Sequence, residues 1–319
     1  MPRPPLKIVK PDPSSDLESL VDDYLAHRRA EGLSPHTIAL ERAVLRQRFL
    51  PWCAAQAVKS PDQLDQRTID DWQVFLLEEH RTPAGKPLSR ESVRSYVREL
   101  SQFLKWAQKS EVVGAKVQAK RPSKEHRLLN VLSREEIKRL EDAATAERDK
   151  LIIRLLADTG VRLGELLGLR REDLLDQDRR ERYIKVRGKG ARDRRVPLTP
   201  TLFTRLRRYA DHGRRGAASQ RIFVTTRKSV KTGELEPLAA RSVQNMITYA
   251  AQAAGIERPV YPHLFRHSFA THALRGKMNV VQLQNILGHA DLTMISTVYG
   301  HLSDTDSYAA MLTLLRDED

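Results

Sequence analysis

The sequence predicts a mainly α-helical protein with a small antiparallel β-sheet, divided between two domains. Three features carry that expectation. Apolar residues recur at helical spacing behind capping residues along most of the chain, one glycine-flanked turn separates two short strand-like runs, and apolar periodicity breaks off between Gly114 and Arg127.

Ser15-Asp16-Leu17-Glu18 reads as a capping box ahead of Leu17, Leu20, Val21, Tyr24 and Leu25, so a first helix is expected there, ended by Gly32. Ser34-Pro35 offers an N-cap and a proline at the first helical position for a second helix, running to about residue 50. A third is expected over 68–79. Ser89 caps a fourth, in which Val93, Tyr96, Val97, Leu100, Phe103, Leu104 and Ala107 form one apolar stripe. Arg90, Arg94 and Arg98 lie off that stripe and are candidates for gripping DNA phosphates; the alternative for each is an ordinary solvated helix face.

The stretch 114–127 is expected as a basic linker, and its Lys120 and Arg121 join the candidate phosphate contacts. The organisation that follows is a disordered Pro-rich tail over 1–13, a helical domain over 14–113, the linker, and a second domain over 128–319. In that domain Ser133 with Glu136 forms another capping box, and a buried helix through Leu151, Ile152, Leu155 and Leu156 stops near Gly160. Residues 183–186 and 195–198 flank Gly188-Lys189-Gly190 as a β-hairpin, with Ile222-Phe223-Val224 as a third strand. Helices are expected over 239–254, 264–274, 280–287 and 303–315.

Composition bounds the function. Lys and Arg number 55 against 41 Asp and Glu, leaving +14 on a chain that is 40% apolar, which favours a polyanionic partner over intrinsic disorder. Nucleic acid fits better than an anionic membrane, because no basic amphipathic segment is flanked by an anchor. Cys53 stands alone, which excludes an internal disulfide or a Cys-based zinc motif and fits a reducing cytoplasm. No apolar run approaches the length of about 18 residues that a membrane span needs, and the Pro-rich start has no signal-peptide core.

The last third of the chain carries His263-Leu264-Phe265-Arg266-His267, Leu287-Gly288-His289 and Tyr299-Gly300-His301, with Arg162 and Glu165 far upstream. Two arginines, two histidines and a tyrosine suit phosphodiester chemistry without metal, since cations hold the phosphate while a phenolic oxygen attacks it. Singly, each residue has a plainer explanation. Arg162 can be a surface arginine, Glu165 an exposed helix glutamate, Lys189 a solvated hairpin tip, His263 and His289 capping or buried histidines, and Tyr299 a core aromatic. His263 and His267 are spaced like zinc ligands, but Leu264 stands where a His-Glu-x-x-His motif needs its glutamate. No metal or cofactor is therefore expected.

Jointly the motifs are far more specific. Thr-Gly-Val-Arg-Leu-Gly-Glu-Leu (159–166), the Gly-Lys-Gly hairpin ending in Arg-Val-Pro-Leu (195–198), His-Leu-Phe-Arg-His-Ser-Phe-Ala-Thr-His (263–272), Leu-Gly-His-Ala-Asp (287–291) and Tyr-Gly-His (299–301) together resemble the tyrosine recombinase (phage integrase) family. Leu33-Ser34-Pro35-His36-Thr37 and its surrounding helices resemble that family's core-binding domain. The resemblance, which extends equally to Xer-type resolvases and mobile-element integrases, implies a SAM-like helical core-binding domain followed by a mixed α/β catalytic domain.

The activity so implied is site-specific DNA recombination for integration, excision or dimer resolution, independent of ATP and metal. In the roles carried over, Arg162 and Arg266 hold the scissile phosphate, supported by Glu165. Tyr299 is the nucleophile, His263 assists its deprotonation, Lys189 protonates the leaving 5′ oxygen, and His289 hydrogen-bonds the phosphate. The implied partners are double-stranded DNA with a specific core site, and a homotetramer or a heterotetramer with a paralogous recombinase. The implied location is the cytoplasmic nucleoid of a bacterium or archaeon.

One departure stands out. Tyr299 follows His289 at an interval one residue longer than is common in the family, which leaves Tyr308 as the reserve nucleophile; Tyr308 falls with Met311, Leu312 and Leu315 on an apolar stripe that favours packing instead. The C-terminal stripe docks either on its own domain or on a neighbouring protomer. Two rival activities share much of this pattern: DNA relaxation of the type IB topoisomerase kind, and a catalytically inactive DNA-binding regulator on the same scaffold.

Overall fold

Asp16 caps the first helix, where the sequence suggested Ser15. Its carboxylate accepts the Ser19 N–H at 2.7 Å, and α1 runs Leu17–Ala30 with Leu17, Leu20, Val21, Tyr24 and Leu25 buried. The computed structural model describes residues 16–123, 131–177, 181–188, 193–214 and 219–288. The chain divides into two units, Met1–His126 and Arg127–Asp319.

In the first unit α1 is followed by α2 (Pro35–Val44), α3 (Leu50–Ala55), α4 (Gln66–Val74) and α5 (Arg90–Lys109). The helix expected to stop near residue 50 continues to Ala55. Pro51 lacks an N–H and its ring crowds the preceding turn, and a π-helical turn over Leu45–Phe49 widens the backbone just ahead of it. The next helix starts at Gln66, earlier than expected, because the Asp65 carboxylate accepts the Thr68 N–H at 2.8 Å. On α5 the predicted stripe faces the core, with Tyr96 half-buried and the other stripe residues buried. Tyr24 meets Phe103 edge-on at 5.5 Å and Phe49 meets Trp72 at 5.3 Å, each pair contributing about 1 kcal/mol beyond its buried area. Val117 and Ala119 are buried in this core although they belong to the stretch expected as linker.

The second unit contains α6 (Arg134–Ala143), α7 (Glu147–Thr159), α8 (Leu163–Gly168), β1 (Leu174–Gln177), β2 (Glu181–Val186), β3 (Arg194–Pro197), α9 (Pro200–Arg208), α10 (Ala240–Ala253), α11 (Pro262–Arg275) and α12 (Val280–Leu287). The capping box forms as the sequence suggested: Glu136 N–H donates to Ser133 Oγ at 3.1 Å and Ser133 N–H to the Glu136 carboxylate at 2.8 Å. Helix α7 lies in the centre of the core, packed by α6 and α11. A smaller cluster of Ala270, Leu274, Leu283 and Leu287 joins α11 to α12.

The sheet is antiparallel in the order β1-β2-β3, with Ile184 paired to both Leu174 and Val196. Its third strand is therefore Leu174–Gln177, and the expectation for residues 222–224 is corrected. Ile222, Phe223 and Val224 are all buried, without the alternation of a one-sided strand, and their backbone binds loops through Ile222 N–H to Leu169 O at 2.9 Å and Leu238 N–H to Phe223 O at 3.1 Å. Helix α9 was not anticipated, although Thr199 and Pro200 supply its cap and first residue. The helix expected over 303–315 lies outside the described residues. Among the described residues no helix is long and apolar enough to cross a membrane.

Candidate active site

The site begins where α7 ends. Gly160 terminates that helix in the left-handed region at φ +61°, and a Cβ there would come within 2.7 Å of the Phe269 ring and 2.8 Å of Leu287. Only glycine lets the chain turn so tightly against α11 and α12. The turn delivers Arg162 to the N-cap position of α8 in extended conformation. Glu165, one turn on, reaches back so that its Oε2 accepts the Arg162 N–H at 2.8 Å, while its Oε1 accepts Arg162 Nη1 at 2.9 Å. With its side chain only 9% exposed, Glu165 is no ordinary surface glutamate.

Arg266 projects from α11 and is 3% exposed. Its guanidinium donates to Gly160 O and, at 2.6 Å, to Leu287 O, so one side chain ties the ends of α7 and α12 to α11. His263 stands one helical turn before it, on the same face. Arg162 keeps 32% of its side chain exposed, so the cluster opens to solvent on that side.

Arg194, at the start of β3, completes the cluster. Its two Nη atoms fork onto the Glu165 carboxylate at 2.9 and 2.8 Å. Reading the sequence missed this residue, although a signal existed: Arg194 shares its strand face with buried Val196, and an arginine on an inward face needs a partner.

Charge follows from this packing. Three guanidiniums, of Arg162, Arg194 and Arg266, act around the Glu165 carboxylate in a partly desolvated place. Burial, then Arg162, pulls the Arg266 pKa down to about 9, so it stays a cation at neutral pH. Burial works to raise the Glu165 carboxyl, but the Arg194 hydrogen bonds and the Arg162 N–H outweigh it and hold it below the ordinary range. Partial burial first, then Arg266 and Arg162, lowers the His263 imidazole below its usual value. A neutral imidazole beside guanidinium groups can accept a proton next to a bound anion. Among the described residues no group of three or more His, Cys, Asp and Glu side chains is gathered as a metal site would need.

The structure thus brings together Arg162, Glu165, His263 and Arg266. Lys189, His289 and Tyr299, like the reserve Tyr308, lie outside the described residues. Of the candidate phosphate contacts in the first unit, Arg94 donates to Pro122 O and pairs with Glu91 at 3.6 Å, and Arg98 binds buried Glu99, with Nε at 2.8 Å. Arg90, Lys120 and Arg121 are exposed.

Residues 130–306 match the model of the phage integrase family. The tyrosine recombinase XerC of Xylella fastidiosa is 32% identical over 294 residues, covering 90% of this chain and 93% of that protein. XerA of Thermococcus kodakarensis is 31% identical over 312 residues, covering 95% and 100%. Among solved structures, the Tn1549 transposon integrase in complex with transposon right end DNA aligns with a TM-score of 0.71 at 18% identity, over 94% of this chain and 100% of that one. The XerH recombinase bound to palindromic difH substrate aligns at 0.68 and 18%, over 92% and 83%. At those identities the structural likeness speaks for the fold.

Proposed function

This chain belongs to the phage integrase family and is a tyrosine recombinase, and on that premise we propose that it cuts and rejoins double-stranded DNA at a specific core site through a 3′-phosphotyrosyl intermediate. The observation that carries the proposal is the gathering of Arg162, Arg194 and Arg266 around Glu165, with His263 beside them. Attack on a phosphodiester places further negative charge on its non-bridging oxygens, so fixed cations stabilise the transition state more than the bound ground state.

In this reading Arg162 and Arg266 hold the phosphate. Tyr299 Oη bonds to phosphorus as the bond to the 5′ oxygen breaks; the phenolic proton passes to His263, and Lys189 supplies one to the departing 5′ oxygen. A phenol of ordinary pKa, about 10, needs that help at neutral pH. His289 hydrogen-bonds the phosphate. The roles of Lys189, His289 and Tyr299 rest on their sequence motifs. Because the phosphotyrosyl link keeps the ester, a 5′ hydroxyl from a second strand can attack it and release the tyrosine, with no need for ATP or metal.

The first unit is assigned the core-binding role and the second the chemistry. Assembly on DNA is as a homotetramer, or a heterotetramer with a paralogous recombinase, acting on DNA in a bacterial or archaeal cytoplasm. The relatives so named and the DNA in the neighbouring structures support this reading.

The test is selection from nicked duplexes randomised across the core, in chelator, for denaturation-resistant linkage to protein. The expected result is an adduct mapped to Tyr299. Tyr299→Phe should reduce it by at least about 10⁴-fold while duplex affinity changes less than about threefold. Relaxation of supercoils without site preference would favour the topoisomerase reading, and tight binding with no adduct at any tyrosine the regulator.

A further inference from the structure

We propose that Arg194 is a positioning residue for this reaction, tying β3 and the end of α12 to the helix start that presents Arg162. The inference rests on the recombinase reading and adds to it a residue that none of the catalytic roles above includes.

Arg194 is 12% exposed, and three of its N–H groups have partners on two other elements. Nη1 and Nη2 fork onto Glu165, and Nε donates to Ile286 O at 2.6 Å. Through Glu165, whose two oxygens also take the backbone and side chain of Arg162, it reaches the N-cap of α8. Through Ile286 it fixes the end of α12, which precedes His289 in the sequence, and Gly288 lies beside it, where a Cβ would make ordinary contact at 3.7 Å from the Arg194 Cζ. Its own strand, β3, pairs with β2, so the fork joins the sheet to α8 and α12.

A planar fork is required for this. A lysine ammonium is a single point that cannot span the carboxylate and the Ile286 carbonyl together. Without the fork, the sheltered Glu165 carboxylate, whose two oxygens already take the Arg162 N–H and Nη1, pulls harder on that guanidinium and draws it away from a bound phosphate. A misplacement of about 1 Å in such a clamp costs on the order of 10²-fold in rate.

The experiment compares the full-length protein with Arg194→Lys and Arg194→Gln in single-turnover adduct formation on the selected nicked duplex at saturating concentration, with duplex Kd and thermal midpoint measured alongside. Both variants are expected to lose at least about 30-fold in rate with Kd within about threefold, a split between rate and affinity that general loss of structure does not produce. Adding Glu165→Gln to Arg194→Gln should slow the reaction no further than the slower single variant, within about threefold, because both act through Arg162. Arg194→Lys retaining the rate, or losses that multiply in the double variant, would overturn the proposal.

One further readout is independent of cleavage. The Arg162 amide proton, held by Glu165, should exchange at least about tenfold faster in Arg194→Lys, a variant mild enough to keep the fold should Arg194→Gln lose it. Unchanged exchange would overturn the inference even if no adduct were ever seen, whereas an inactive wild-type chain with faster exchange in the variant would count against the recombinase reading alone.

Discussion

Each unit buries a glutamate among arginines, and the two arrangements do opposite things with the same chemistry. In the first unit Glu41 is fully buried, accepting the Tyr24 hydroxyl at 3.2 Å and Arg28 Nε at 2.9 Å, and Arg28 also pairs with Glu31 at 2.6 Å. Negative charge there matches or exceeds positive, and burial, with Glu41 adding to it, pushes the Tyr24 phenol up so that it stays a neutral donor. In the second unit Glu165 is likewise sheltered, but three guanidiniums surround it. The first cluster is closed and consumes its own charge. The second gathers several guanidiniums and keeps Arg162 partly exposed to solvent, which an anion-binding site needs and a structural ion pair does not.

Neutralising members of each cluster separates the two. Arg162→Ala should lower single-turnover adduct formation by about 10³-fold, equivalent to about 4 kcal/mol of transition-state stabilisation, with a thermal midpoint close to that of the wild type. A variant that unfolds instead would put Arg162 in the same class as Arg28. Glu41→Leu should reverse the pattern. Chemical denaturation is expected to show a loss of about 3 kcal/mol, because Arg28 and the Tyr24 hydroxyl lose their buried acceptor, while the cleavage rate of the folded fraction stays within about twofold. A rate loss larger than the stability loss would erase the distinction.

The comparison extends to cations on the surface. Arg94 and Arg98 bind partners within the first unit, Arg98 while still half exposed, and Lys120 and Arg121 are exposed. Replacing Lys120 and Arg121 together with glutamine should reduce the slope of log Kd against log salt by about 1.8, at about 0.9 per released counterion, whereas Arg98→Gln should change it by less than about 0.3. Equal slopes for both variants would mean that pairing with Glu99 does not keep Arg98 from a phosphate.

The smallest effect concerns His263, which burial and the neighbouring arginines hold below its ordinary pKa. Because the shift is downward, the neutral imidazole persists to more acid pH than in an unfolded chain. A proton NMR titration of the DNA-free protein should therefore give a midpoint below about 6.5, and Arg162→Ala should move it upward. A midpoint at or above the ordinary value would show that the cation cluster does not act on this ring.

Much of the helical framework was legible because its signals are local. The Ser133–Glu136 box lies within one turn and successive residues of the α5 stripe are a turn or less apart, so spacing alone reveals them. Where local rules compete, spacing misled. The second helix, expected to end near residue 50, runs on through Pro51 behind a π-helical turn, and Ile222-Phe223-Val224 looked like a strand because a wholly buried run and a central strand share one composition. Leu174–Gln177 carries little β-branched character, and only pairing with β2 makes it a strand.

For the site, the sequence alone determined which residues are candidates. Arg162, Glu165, His263 and Arg266 stand in motifs of fixed spacing, and Gly160 marks the turn that presents the first of them. Only the tertiary structure decided how they act together: that Glu165 is sheltered, that Arg266 is pinned to Gly160 and Leu287, and that Arg194 joins β3 to α8 and α12. The reason is physical. Helix periodicity and capping are set by residues within a turn of each other, whereas the charge balance of a buried cluster depends on which guanidiniums the fold brings to one carboxylate from segments far apart in the chain.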